Sequence, residues 1–142
     1  MAKNLLSFLF VSLVVGCNNF YGDESLGSGY FIWKEGSYAS IGYTGTNNNS
    51  SIGYTVIEEN VLEAKTNENY IIVKTVKYNK DQQKSLSYWV IDKSIKLDMS
   101  LCIDQSSCDI LLLSNLTKEK DSLAFKKLLK HKNVSLSFDS WN

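Results

Sequence analysis

The chain contains no arginine and no proline, and it has a single histidine. Each shortage excludes something. All 15 cations are lysine, set against 15 acids, so the 142 residues carry no formal net charge. Without guanidinium forks to read guanine edges or clamp phosphates, and without a basic excess, the composition speaks against a nucleic-acid partner. Side chains that ligate metals or shuttle protons are scarce, and no cofactor and no metal is expected. Long apolar runs are missing as well. The stretch from Leu5 to Val15 is broken by Ser7 and Ser12 and offers about eleven residues, where a bilayer-crossing helix needs ~20. A chain of this length allows one domain.

What stands at the N-terminus reads as an address. Lys3 supplies a positive start, Leu5 to Val15 an apolar core, and polar Asn18 and Asn19 follow at once, the layout of a secretory signal peptide. The end of that core, Leu13-Val14-Val15-Gly16-Cys17, resembles the lipobox of bacterial lipoproteins. The resemblance implies that residues 1–16 are a signal cut before Cys17, that the Cys17 thiol carries a diacylglyceryl group, and that the new N-terminus is often acylated too. Palmitate is a natural label for such chains. One acyl chain holds a protein to a membrane with K on the order of 10⁴ M⁻¹, so two or three make a durable anchor. The implied location is extracytoplasmic, on the cell membrane or the outer membrane. The mature product keeps 14 lysines against 15 acids, which steers it to no anionic lipid. From Cys17 to residue 29 the chain is polar and rich in glycine and serine, as a flexible tether is. Asp23 and Glu24 in that tether resemble the surface-export signals of some bacterial lipoproteins, and they equally suit a solvated linker.

From Tyr30 to Met99, short runs of tyrosine, isoleucine, valine and threonine alternate with clusters of asparagine, glycine and lysine. The pattern predicts antiparallel strands near 30–34, 38–44, 51–58, 61–66, 70–78, 85–92 and 95–99. Leu86, Tyr88 and Val90 alternate with Trp89 and Ile91, so the 85–92 strand is expected to be covered on both faces. A helix is predicted from an N-cap at Thr117 to His131, with Ala124, Phe125, Leu128 and Leu129 on one side and Lys126, Lys127 and Lys130 on the other. Val134 to Phe138 alternates again and suggests a final edge strand. The fold class that follows is α+β, an antiparallel β-meander with a C-terminal amphipathic helix, in one globular domain over residues 30–142.

Chemistry is thinly represented. Cys102 and Cys108, in CIDQSSC, are natural disulfide partners once export exposes them to oxidation. Closing so small a loop contributes ~2 kcal/mol in the chain-entropy picture. A redox-active pair is less suited to this spacing, and no helix N-terminus is evident beside either thiol. Asp98, Asp104 and Asp109 lack the spacing and turn glycine of a calcium loop. No G-x-S-x-G elbow precedes any serine. Glu58 and Glu59, read as neighbours on a strand, point to opposite faces.

An internal echo is the most unusual feature. Ser40-Ile41-Gly42-Tyr43-Thr44 recurs as Ser51-Ile52-Gly53-Tyr54-Thr55 around GTNNNS. Folded as a hairpin, Ile41 would face Tyr54 and Tyr43 would face Ile52 on an oily side, with the glycines, serines and threonines paving a bare one. Gly42, Tyr43, Gly53 and Tyr54 thus form a candidate docking hairpin, unless the domain's own core or helix covers it. Separately, Tyr70-Ile71-Ile72-Val73-Lys74 and Tyr88-Trp89-Val90-Ile91-Asp92-Lys93, followed by the helix, are similar to segments of uncharacterised small bacterial lipoproteins. That resemblance implies a β-rich domain with a trailing helix and no particular activity. The expected role is a lipid-anchored, non-enzymatic binding or inhibitor module that meets an envelope protein partner. The competing class is an envelope enzyme or carbohydrate-binding protein using Trp33, Tyr43, Tyr54 or Trp141.

Overall fold

The computed structural model describes residues 24–47 and 50–141. Cys17 and residues 1–16, the expected lipidation site and signal, lie outside the described residues. Among the described residues no helix is long and apolar enough to cross a membrane.

Among the described residues, eight strands form two antiparallel meanders. The first sheet runs in the order β1 (Glu24–Gly27), β2 (Tyr30–Glu35), β3 (Tyr38–Asn47), β4 (Ser50–Ile57). The second runs β5 (Asn60–Thr66), β6 (Tyr70–Tyr78), β7 (Lys84–Asp92), β8 (Leu116–Glu119). Two helices, α1 (Gln105–Leu113) and α2 (Ser122–His131), complete an α+β, β-rich fold. The sheets join at a corner of two residues, Glu58 and Glu59, where Asn60 Oδ1 accepts the Ala39 N–H at 2.9 Å. Inward residues of both sheets make one core: Ile41 and Ile57 from the first, Ile71, Val73 and Ile91 from the second, all essentially sealed from water. Each such side chain contributes ~1.5–3 kcal/mol of burial.

The second sheet is covered on its other face too. Phe125 and Leu129 of α2 pack with Ile72, Tyr88 and Val90, joined by Val134 and Phe138. β6 is therefore buried from Ile71 through Val76. The segment after α2 is fastened across this face: Lys74 Nζ donates to the Ser140 carbonyl at 2.8 Å, Tyr88 Oη to the Trp141 carbonyl at 3.1 Å, and Glu63 Oε1 accepts from the Asp139 N–H at 2.8 Å. Lys65 pairs with Asp139.

Several expectations are corrected. The glycine-serine stretch read as tether contains β1, because Ser28 and Gly29 both take positive φ, 54° and 86°, as the centre of a type I′ hairpin turn requires. Residues 95–99 form no strand, and Asp98 instead caps a short 3-10 turn, Met99–Leu101. The long helix starts four residues later than expected. Thr117 belongs to β8, which completes the β7 edge, and Asp121 is the N-cap, accepting the Ala124 N–H at 2.7 Å. Residues 134–138 alternate because they lie over the sheet, and they join no ladder. α1 was not anticipated, since its apolar residues run consecutively and give no helical period.

Candidate functional site

The echo does form a hairpin, in a different register. Tyr43 pairs with Tyr54, Gly42 with Thr55 and Gly45 with Ile52, and the ladder continues to Asn47 and Ser50. Pairing as far as Asn47 and Ser50 gains ladder bonds that the expected six-residue loop would forgo. Tyr43 and Tyr54 are half-buried and pack on the shared core, with the Tyr43 ring 4.8 Å from that of Tyr30. The bare face is bare only in part. A Cβ at Gly42 would stand 2.7 Å from Phe31 Cε2, because the Phe31 ring across the ladder from it lies over the glycine, whereas a Cβ at Gly53 would meet nothing. Of the four expected docking residues, only Gly53 is open.

The structure gathers other residues at the corner between the sheets. A cleft of about 750 Å³ opens there, lined by Thr55 to Asn60, by Tyr38, Tyr78 and Trp89, and by Asp109, Leu112 and Leu113 of α1. This is the size at which small-molecule and peptide-side-chain pockets occur, and its walls mix apolar side chains with charged ones, Glu58, Glu59, Lys77 and Asp109. Tyr78 and Tyr38 are 61% and 44% exposed. Glu58 and Glu59 both line this one cleft. The expectation that they face apart fails because the chain leaves β4 at Ile57 and turns before β5, so strand alternation does not govern them.

Glu59 is wired in place. Its Oε2 accepts from Thr75 Oγ1 at 2.6 Å and its Oε1 from Lys118 Nζ at 2.6 Å. Thr75 Oγ1 in turn accepts from Trp89 Nε1 at 3.0 Å, and Lys118 Nζ stands 4.4 Å over the Trp89 ring. Burial by itself would raise the Glu59 carboxyl, but the hydrogen bonds from Lys118 and Thr75 and the lysine charge outweigh it, holding the group below its ordinary value. A carboxylate so held is a poor proton donor at neutral pH.

A second groove, about 410 Å³, adjoins the cleft and shares Tyr38, Thr55 and Glu58 with it. Trp33, Glu35 and Ser40 complete its wall. Trp33 is 45% exposed and is the one strongly exposed ring of the four aromatics singled out in the sequence. Trp141 instead packs against Phe138, Phe125 and Tyr88, with Lys126 Nζ 4.5 Å over its ring.

Cys102 and Cys108 form the expected disulfide, with Cα atoms 4.4 Å apart. One premise changes: Cys108 sits in the first turn of α1, so a helix N-terminus does lie beside the pair, although Cys108 itself is buried. Asp98 and Asp104 serve as caps of the two short helical segments and Asp109 accepts from Gln105 Nε2, which accounts for the acids around the cysteines. Backbone and hydroxyl hydrogen bonds hold the Asp98 and Asp104 carboxyls below their ordinary range. Comparison with protein-family models, with curated proteins and with solved structures gives no match.

Proposed function

We propose that this protein is a non-enzymatic binding module of the cell envelope, lipid-anchored through Cys17, whose corner cleft receives a protein partner. The observation that carries the binding reading is the cleft itself: walls of mixed apolar and charged side chains, exposed Tyr38 and Tyr78, and the edge strand β4 along one side. Among the described residues that line it there is no serine, cysteine or histidine. Its wired carboxylate, Glu59, is committed to Lys118 and Thr75. These features favour binding over acid–base or nucleophilic catalysis. The LVVGC sequence supports the anchor.

Two experiments test this reading. Metabolic labelling with a clickable palmitate is expected to mark the wild-type chain and not the Cys17→Ser variant; an unlabelled wild-type chain contradicts the anchor. Thr55→Trp, on an exposed position that both grooves share, is expected to fill the cleft, abolish co-purification of an envelope partner and leave the unfolding temperature unchanged. Undiminished co-purification contradicts the cleft as the binding surface. Carbohydrate binding is the second reading, favoured by exposed Trp33 and Tyr38 side by side on one groove. Sugar stacking would be insensitive to salt, whereas binding of a charged partner weakens as salt rises.

A further inference from the structure

We propose that the groove beside the cleft takes a lysine or arginine side chain from an extended segment of the partner polypeptide, which adds as a strand along the free edge of β4. The inference rests on the reading of the corner as a binding surface and names the chemistry of the occupant. Three independent features of the fold converge on it.

The first is charge. The groove is lined by two carboxylates, Glu35 and Glu58, and by no cation. Neither carboxylate forms an ion pair among the described residues, whereas Glu24, Glu59 and Glu63 all do. Two like charges on one small wall repel until a cation comes between them. The second is the rings. Trp33 and Tyr38, each a little under half exposed, line the same groove, and the negative faces of indole and phenol attract an ammonium or guanidinium. Ser40 and Thr55 keep the floor between rings and acids low enough for a long side chain to lie down.

The third feature selects a polypeptide over a small free amine. β4 is paired on one side only, to β3, and stands at the end of its sheet, with α1 across the cleft from its last residues. Alternate backbone N–H and C=O groups on its other side have no ladder partner, the arrangement that strand addition uses. Thr55, Val56 and Ile57 of that edge line the larger cleft, which continues past Tyr38 and Glu58 from the groove. An extended segment lying on β4 would put a cationic side chain in the groove and turn the next side chain toward the cleft that exposed Leu113 lines.

The test uses the full chain and three labelled octapeptides followed by fluorescence anisotropy: alternating arginine and valine, alternating citrulline and valine, and the arginine peptide with alternate backbone nitrogens methylated. The arginine peptide is expected to bind best. Citrulline keeps the shape without the charge and is expected to bind about tenfold more weakly, since each exposed carboxylate is worth about two- to fivefold. E35Q/E58Q is expected to erase that difference without moving the unfolding temperature, and methylation is expected to abolish binding. Equal binding of the arginine and citrulline peptides overturns the cationic occupant and leaves the cleft reading standing. If arginine amide competes as well as the arginine peptide, or if methylation has no effect, the strand-adding occupant is overturned. If no peptide binds, both this inference and the cleft reading fail.

Discussion

The two sheets are built alike and clothed differently. Each is a four-stranded antiparallel meander, and each gives one face to the core they share. The second sheet gives its other face to α2 and the C-terminal segment, so β6 is buried for six consecutive residues. The first leaves its other face to solvent, with Trp33 and Tyr38 exposed and Gly53 open. The same architecture therefore concentrates stability in one half and accessible surface in the other. Substitutions sort by this division.

The largest effect is expected under α2. Phe125 is fully buried against Tyr88 and Phe138, with ring centroids 5.6 and 6.0 Å away. Phe125→Ala should lower stability by about 3–5 kcal/mol in denaturant titration, from lost burial plus the cavity left behind. Loss of under about 1 kcal/mol would show that α2 is dispensable to the second sheet.

The echoed glycines give an internal contrast of intermediate size. Gly42→Ala drives a methyl into the Phe31 ring and should cost about 1–3 kcal/mol, whereas Gly53→Ala meets open space and should be neutral or slightly stabilising. Equal effects of the two substitutions would contradict the one-sided cover of the hairpin.

Glu59 supplies the smallest effect and a pH dependence. Its carboxyl is held below the ordinary 4.5, so the stability it contributes is complete above that pH and is lost as pH falls through the lower folded value. Glu59→Gln should cost about 1–2 kcal/mol at neutral pH, and the stabilities of variant and wild type should converge in acid. A gap that persists unchanged to pH 2 would show that the carboxylate's charge plays no part.

Much of the fold was legible because burial imposes period two on the strands and period 3.6 on α2. Strands β2 to β7 and the buried side of α2, Phe125 and Leu129, follow from alternation and helical spacing. The failures have separate physical causes. β1 is held chiefly by backbone pairing to β2, with Leu26 its one buried side chain, so composition resembled a linker. Val134, Leu136 and Phe138 alternate because one side touches a sheet face, a requirement that does not need a ladder. The corner cleft was not legible: it arises where Glu58 and Glu59 leave strand geometry and where α1, with no apolar period, comes alongside. The disulfide was legible from the close spacing of its two cysteines.

Amide hydrogen exchange of the full chain, with and without the arginine–valine octapeptide, tests the division of labour most directly. The account predicts slowed exchange at β4 amides that point away from β3, with β6, β7 and α2 unchanged. Protection falling on the second sheet or on α2, with β4 unaffected, would contradict it.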